Sequence, residues 1–457
     1  MSIIFSISGL RATLSDNSLS YELIKKYALA FHLFCSAGEI VIGRDGRSSG
    51  EWIEQVLIET FNSVGRDYHA IGIVPSPTVQ LITENHKAAG GISITASHNP
   101  DDWNGLKFIN SNGTFLDQNE NNQLNEIFHN VIINDFPKKD LKINNDEILK
   151  NNINAINEHI NAILNLPFLT EIIKNKIAAR NYKVVVDAVN SSGSVIVPKL
   201  LEEWGIQVEK LFCEGNGKFP HTPEPITENL TELCRTVREL DADLGIAVDP
   251  DADRLVLIDE NGNPIGEENT IVLAIYSILS MIENAKSTKV VVNHSTTMGV
   301  DYIAGMYGAI VERSPVGEIN VVKKMQEVQA IIGGEGSGGV ILPACHYGRD
   351  SLVGITLLFS LLAIKEKKLS EIVNELPKYY MHKTKIAFND TLSSIIDKVK
   401  QIFNVNKIIL DDGIKIYFDG GWVQLRKSNT EPIVRIIGES EDEQDLITKI
   451  NKIKALF

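Results

Sequence analysis

Ser97 closes the run Gly90-Gly91-Ile92-Ser93-Ile94-Thr95-Ala96-Ser97-His98-Asn99-Pro100, where an apolar alternation breaks into a polar turn. Ile92 and Ile94 predict a buried strand. Thr95, Ser97, His98 and Asn99 bond locally and Pro100 cannot continue a ladder, so Ser97 is expected in a tight, exposed loop at the strand's end. A serine held there can be phosphorylated and can pass the phosphoryl group on. The same residue types also make ordinary turns, so the rest of the chain must decide.

Asp249-Pro250-Asp251-Ala252-Asp253-Arg254 lies between the apolar runs Leu244 to Val248 and Leu255 to Ile258. Three carboxylates at alternate positions of a tight turn repel one another unless a cation sits among them, which points to a hard divalent ion, Mg²⁺. An exposed acidic turn is the plainer alternative. Glu260 falls where an EF-hand needs its twelfth-position ligand, but Arg254 occupies the glycine position and the following residues are strand-like. Gly333-Gly334-Glu335-Gly336-Ser337-Gly338-Gly339 reads as a loop that lets backbone approach a ligand closely while Glu335 and Ser337 offer an acceptor and a donor, a pairing that suits sugar hydroxyls or a plain flexible turn. No Gly-Lys-Ser/Thr is present in it, so it is not a Walker loop.

Arg426-Lys427-Ser428-Asn429-Thr430-Glu431-Pro432, with Arg435 beyond, gathers a forked guanidinium with hydroxyl and amide donors, the makings of a phosphate cradle. Arg11 and Arg44 are further cations at turn-rich ends of apolar runs, Lys107 lies ten residues past Ser97, and a surface charge is the simpler account of each. His98 is as suited to bonding within its loop as to acting as a base. It cannot serve Ser97 as a triad base without awkward backbone geometry, and no Gly-x-Ser-x-Gly elbow is present.

Something must bring these distant segments together. The 457 residues exceed one ordinary core, which predicts three or four domains. Three β-branched runs share one design: Glu39 to Asp45, Lys183 to Ala188 and Lys289 to His294 each open into a polar turn and an amphipathic helical pattern. The chain therefore reads as α/β, with three similar domains over 1–150, 151–259 and 260–369 and a C-terminal α+β domain over 370–457. Lys365 to Tyr380 reads as a connector, with a hinge at Leu369 to Tyr380. A helix is expected from Ile153 to Leu166.

With 43% hydrophobic and 23% charged residues the composition is that of a soluble globular protein, and the net charge of −15 argues against a nucleic-acid partner. Cys35, Cys213, Cys234 and Cys345 show no metal or redox spacing and suit a reducing cytoplasm. The start lacks signal-peptide character, and the longest apolar stretches, Ile271 to Ile282 and Leu352 to Ile364, are too short to span a bilayer. No membrane partner is expected.

Taken in chain order, Thr95-Ala96-Ser97-His98-Asn99-Pro100, Asp249-Pro250-Asp251-Ala252-Asp253-Arg254, Gly334-Glu335-Gly336-Ser337-Gly338 and Arg426 to Pro432 resemble the signature of the α-D-phosphohexomutase family, one loop in each domain. The resemblance covers the whole chain. It implies four domains around a central cleft, with Ser97 as phosphoserine and one Mg²⁺ held by Asp249, Asp251, Asp253 and the Ser97 phosphoryl oxygen. It further implies that Glu335 and Ser337 grip sugar hydroxyls and that Arg426, Ser428, Asn429 and Thr430, with Arg435, hold the phosphate not being transferred. Arg11, Lys107 and Arg254 match basic positions about the reacting phosphate, and Lys107 is a candidate proton shuttle. Val316-Gly317-Glu318 is similar to the family's variable specificity loop, and Arg349 can reach a phosphate from the third domain. The implied substrate is a phosphosugar, with a hexose 1,6-bisphosphate as activator and intermediate, on a monomer or homodimer.

The Gly-Glu-Gly-Ser-Gly-Gly form, with Arg-Lys-Ser-Asn-Thr-Glu-Pro later, is most similar to phosphoglucosamine mutases of an archaeal-like branch, so glucosamine 6-phosphate is the expected substrate and mannose or glucose phosphates the alternatives. An aspartyl phosphatase with Asp249 as nucleophile is a rival that leaves Ser97 and the Arg426 loop without a task. A non-catalytic sugar-phosphate sensor is a third reading, opposed by the intact serine and aspartates.

Overall fold

The structure, a computed structural model, describes residues 3–7, 9–133, 145–388, 392, 396–403, 405–427 and 433–457. Four sheets carry these residues. The first is ordered Ile3–Ser6, Gly9–Thr13, Trp103–Asn110, Gly90–Ile94, Ile40–Arg44, Tyr68–Ile73. The second runs Leu255–Ile258, Leu244–Val248, Lys183–Asp187, Gln207–Leu211, and the third Ile310–Ser314, Lys289–Asn293, Ile332–Glu335, Gly339–Leu342, His346–Arg349. The fourth is antiparallel throughout: Tyr380–Ala387, Ile433–Ser440, Gly421–Lys427, Ile414–Phe418, Lys407–Ile409.

The first three sheets repeat one plan. Ile40–Arg44, Lys183–Asp187 and Lys289–Asn293 each lie between two parallel neighbours. Their β-branched side chains suit a strand covered on both faces. One of the two neighbours, Gly90–Ile94, Leu244–Val248 or Ile332–Glu335, is then followed by an antiparallel return strand. The turns after Ile94, Val248 and Glu335 are therefore topological equivalents at the carboxyl ends of parallel strands, where open α/β sheets bind ligands. Three α/β domains and a C-terminal α+β domain are thus present, although no residue-level repeat is visible in the chain.

One apolar core runs through the second and third sheets and reaches the first through helices Ser76–Asn85 and Asn145–Leu164. Its centre is helix Ser351–Lys365, apolar on every side and packed against helices Glu267–Met281 and Glu171–Ala179. The first sheet buries its other face in a separate cluster against helices Tyr21–Phe34 and Gly50–Ser63. The C-terminal domain keeps its own core. It meets the third domain through polar contacts instead. Buried Glu439 accepts from Met298 N at 2.7 Å, from Trp422 Nε1 at 2.9 Å and from Thr297 Oγ1, while Gln424 accepts from Ser295 Oγ at 2.7 Å.

Several expectations change. The helix expected from Ile153 begins at Asn145. The expected hinge contains a short helix, Leu369–Asn374, with a Glu371 carboxylate closing its first turn onto Lys368 N. The glycine run is a hairpin rather than a loop: Gly333, Gly334 and Glu335 pair with Ile341, Val340 and Gly339. Glycine is required there by crowding. At Gly338, φ is +88° and a Cβ would fall 2.4 Å from the Leu255 carbonyl oxygen. That hairpin tip docks on the second domain, since Leu255 N donates to Gly338 O at 2.9 Å.

Candidate active site

The Ser97 turn is held by a buried cation. Arg47 donates to the carbonyls of Ser97, Asn99 and Pro100 at 2.6 Å each and to that of Trp103 at 2.9 Å, while its Nε reaches Asp45 Oδ2 at 3.1 Å. The same Asp45 oxygen accepts from Thr95 Oγ1 at 2.6 Å, and Thr95 Oγ1 in turn accepts from Ser97 N at 2.8 Å. These contacts hold Ser97 at φ 51°, a left-handed conformation that costs a non-glycine residue about 1–3 kcal/mol. The result corrects one expectation: Ser97 is not exposed. It is 1% accessible, with His98 and Asp249 of the second-domain turn against its hydroxyl.

The aspartate turn is self-organised. Asp249 Oδ1 accepts from Asp253 N and Arg254 N at 3.2 Å each, and Ala252 takes φ 48° to turn the chain. Ser97 Oγ donates to Asp249 Oδ2 at 3.0 Å, joining two equivalent strand ends from different domains. Asp251 Oδ2 accepts from Lys107 Nζ at 2.6 Å and from Ser76 Oγ at 2.7 Å. Asp253 Oδ2 accepts from Arg349 at 2.6 Å and from Lys107 at 3.3 Å. The other oxygens, Asp251 Oδ1 and Asp253 Oδ1, are buried and have no hydrogen-bond partner among the described residues. A buried carboxylate oxygen without a donor is costly, and one oxygen from each of the three aspartates lies within 4.8 Å of the others. Hard oxygen donors in that arrangement fit a divalent cation.

Electrostatics agree. Burial, with Asp253 and Asp251 beside it, pushes the Asp249 carboxyl well above the usual carboxylate range. Burial opposes charge on Asp253 too, yet Arg349, Lys107 and Arg254 hold it below that range. Lys107 loses hydration on burial, but Asp251 and Asp253 raise it, so it stays protonated. Burial, followed by Arg254 and Arg11, keeps His98 neutral down to strongly acid pH. Its Nδ1 lies 3.4 Å from Ser97 Oγ, at the limit of a hydrogen bond. Arg254 Nε is buried without an acceptor among the described residues, although Asp249 and Asp253 lie 3.9 Å away, so this cation is placed for an incoming anion.

Across a cleft of about 460 Å³ stand the other expected residues. Arg11, His98, Lys107 and Arg254 line one side, Gly317, Glu335, Ser337 and Arg349 another, and Arg426 and Arg435 approach from the C-terminal domain. Arg11 also donates to Asn99 Oδ1 at 2.8 Å. Arg349 is a hub: besides Asp253 it reaches Glu335 Oε2 at 2.7 Å and Glu318 Oε2 at 3.1 Å. Glu335 Oε1 accepts from Asn293 Nδ2 at 2.8 Å and from Gly317 N at 3.1 Å, so the hairpin and the Val316-Gly317-Glu318 loop are tied together. Ser428, Asn429 and Thr430 lie outside the described residues.

Sequence reasoning misses part of the set. Arg44, noted as a cation at the end of an apolar run, pairs with Glu54 at 3.0 Å, whereas Arg47, three residues on, braces the serine turn. The run Gly43-Arg44-Asp45-Gly46-Arg47 holds the signal, since only Arg47 lies past the strand. Glu224, 3.9 Å from His98 and 4.0 Å from Arg254, and the Lys383 contacts to Glu267 and Glu268 at 2.7 and 3.0 Å have no motif to announce them.

Three equivalent strand ends thus meet over one serine, with a fourth domain joined to them by polar contacts, and this is the architecture that the resemblance to phosphohexomutases, enzymes of phosphosugars, implies. Comparison with known proteins agrees over nearly the whole length. Models described as phosphoglucomutase/phosphomannomutase alpha/beta/alpha domains I, II and III match residues 2–133, 157–262 and 267–380, and the C-terminal domain model matches 384–452. The chain belongs to this phosphoglucomutase/phosphomannomutase family and is an isomerase. It is 36% identical over 453 residues to a phosphoglucomutase/phosphomannomutase of Thermococcus kodakarensis, covering 97% of this chain and 96% of that one. It is 31% identical over 459 residues to a phosphoglucosamine mutase of Methanococcus maripaludis, covering 98% and 97%. The fold matches a solved putative phosphomannomutase of Thermus thermophilus with a TM-score of 0.81 at 21% identity, covering 100% of this chain and 99% of that one. Among the described residues no helix is long and apolar enough to cross a membrane.

Proposed function

We propose that the enzyme converts glucosamine 6-phosphate to glucosamine 1-phosphate through phosphorylated Ser97 and a hexose 1,6-bisphosphate, in the cytoplasm, as a monomer or homodimer, with one Mg²⁺ per chain. The observation that carries the reaction class to these residues is the 3.0 Å approach of Ser97 Oγ to Asp249 Oδ2 beneath a cleft faced by arginines of the C-terminal domain. The resemblance of the sugar and phosphate loops to phosphoglucosamine mutases supports the amino sugar, as do relatives of that name. Phosphomannomutase or phosphoglucomutase activity is the second reading, favoured by the name of the Thermococcus relative.

Asp249, Asp251 and Asp253 would hold the ion, whose charge would be shared with the transferring phosphoryl group and with Ser97 Oγ. The residues do the rest. Arg11, Arg254 and Lys107 neutralise charge as the phosphoryl group passes from Ser97 to the free hydroxyl of a bound hexose monophosphate. Protonated Lys107 supplies the proton that the departing Ser97 oxygen needs and takes up the one lost by the attacking hydroxyl. Glu335 and Ser337 hold sugar hydroxyls, Gly317 shapes the neighbouring loop, and Arg349 positions Glu335. Arg426, Ser428, Asn429, Thr430 and Arg435 cradle the phosphate at rest. The bisphosphate then turns end for end and returns its other phosphoryl group to Ser97. The joint of the fourth domain suits such a turn, because its described contacts with the third domain are polar ones that water can replace.

The test is a kcat/KM comparison of glucosamine, mannose and glucose 6-phosphates with Mg²⁺ and bisphosphate primer, alongside Ser97→Ala. Amino-sugar preference and loss of turnover in Ser97→Ala are expected. A last-ranked amino sugar refutes the substrate; full activity in Ser97→Ala refutes the mechanism.

A further inference from the structure

Behind the cleft, four metal-ligating side chains converge from two distant parts of the chain. His159 comes from helix Asn145–Leu164, Cys345 and His346 from the start of strand His346–Arg349, and Asp350 follows Arg349 directly. One donor atom of each lies within 4.8 Å of every other. His159 Nε2 and His346 Nε2 approach the same oxygen, Asp350 Oδ2, at 2.8 and 3.1 Å. His159 and Asp350 are fully buried, His346 is 2% accessible, and none of the four lines the cleft.

The surroundings hold the group in place. Asp350 Oδ1 accepts from Leu352 N at 2.8 Å, which fixes the carboxylate at the head of helix Ser351–Lys365. Thr78 Oγ1 lies 2.8 Å from His159 Nδ1, the kind of outer partner that orients a ligating imidazole. His346 Nδ1 is buried with no hydrogen-bond partner among the described residues, so this buried ring has a nitrogen those neighbours leave unused. Cys345 is a free, half-buried thiol that gives the group an edge toward solvent.

We propose that His159, Cys345, His346 and Asp350 form a second metal site, for a borderline divalent cation of the zinc class, distinct from the aspartate trio. Two imidazoles, a thiolate and a carboxylate are the donor set that four-coordinate zinc takes, and Mg²⁺ prefers oxygen alone. The two anionic donors balance the charge of the ion, and the Cys345 proton leaves as it binds. The two sites thereby sort their ions by donor chemistry. An ion here ties the Asn145–Leu164 helix to the strand that carries Arg349, and through Thr78 to the first domain, so it acts as a clamp behind the substrate cleft.

The site does not depend on the sugar or on turnover, and neither does its test. Full-length protein stripped of transition metals and held in excess Mg²⁺ is titrated with Zn²⁺ and with Co²⁺. One equivalent is expected to bind; Co²⁺ gives a near-ultraviolet thiolate-to-cobalt band, and Zn²⁺ shields Cys345 from alkylation as mapped by peptide mass spectrometry. Cys345→Ser abolishes the band, Asp251→Asn retains it, and Thr78→Val weakens binding by about 10–100-fold, as lost outer partners do. If Cys345→Ser fails to fold, alkylation of the unaltered protein decides. Absence of both band and shielding, a band that survives Cys345→Ser, or binding lost only with Asp251→Asn overturns the proposal.

Discussion

Arg47 offers the sharpest test of how the serine turn is built. Replacing it with Met keeps much of the side chain's bulk and removes five hydrogen bonds, four to carbonyls of residues 97–103 and one to Asp45. Asp45 is fully buried, so Arg47→Met strands a carboxylate, and breaking one side of a buried pair costs about 3–5 kcal/mol. At about 2–4 °C per kcal/mol for a domain of this size, the transition should fall by between about 6 and 20 °C. Activity should suffer separately. Ser97 is kept at φ 51° by this network, and relaxing the turn frees the about 1–3 kcal/mol of strain that keeps its oxygen on Asp249. The double variant Asp45→Asn, Arg47→Met separates the effects, because without the stranded charge much of the lost stability should return while turnover stays at least about tenfold low, equivalent to about 1.4 kcal/mol. Differential scanning calorimetry and initial rates with bisphosphate primer measure both. A double variant that recovers stability and full turnover together would refute the bracing role, and an Arg47→Met protein melting within a degree or two of the parent would refute the electrostatics.

Other sites carry shorter predictions. Burial pushes the Glu268 carboxyl up from an ordinary 4.5 to about 7, against the pull of Lys383. Because its folded value is the higher one, its contribution is greatest below pH 4.5 and lost as pH rises through 7, at about 1.36 kcal/mol per unit. Allowing for solvent screening at its 17% exposed side chain, the parent should lose about 1–3 kcal/mol relative to Glu268→Gln between pH 5 and 8 in urea titrations, and a constant difference would be contrary to this. Gly338→Ala places a methyl 2.4 Å from the Leu255 carbonyl at φ +88° and should cost about 2–4 kcal/mol while raising KM for the sugar; unchanged melting and KM would show that the hairpin is free of the second domain. Asp412 accepts from Val316 N at 3.0 Å and lies 3.7 Å from Arg426 Nε. Asp412→Ala removes a charge-assisted bond of about 1.5 kcal/mol and should shift the ratio of kcat/KM among the three hexose 6-phosphates by about tenfold, whereas an unchanged ratio would separate the loop from the fourth domain.

Much of this is legible in the chain because the chemistry sits where strands end. Lys183 to Asp187 and Lys289 to Asn293 announce themselves by β-branched side chains, and the breaks after Ile94 and Val248 by residues that cannot extend a ladder. The Gly333 to Gly339 run misleads because glycine reads as a sign of looseness. Here it allows close approach: Gly334, Gly336 and Gly338 have backbone or carboxylate where a side chain would stand. The expectation of an exposed Ser97 fails for a related reason, since its local residues form a turn that another domain, through Asp249, then helps to bury. Arg47, Glu224 and Lys383 are hidden more deeply, because a charged residue acquires its role from partners 50 to 126 positions away and no local spacing encodes that.

The topology explains why a serine, a carboxylate trio and a sugar-facing glutamate come to share one cleft at all. Each ends the same parallel strand of a repeated plan, so three copies packed around the helix Ser351–Lys365 core must direct their equivalent turns at one another. Among the described residues the fourth domain repeats none of that plan and shares none of that core. What holds it over the cleft is a set of polar contacts, Glu439 to Met298, Gln424 to Ser295, Lys383 to Glu267, whose partners can exchange one another for water at modest cost. The rigid part of the molecule thus positions the serine and its carboxylates, and the part that must yield to a turning substrate is the one joined through exchangeable polar contacts.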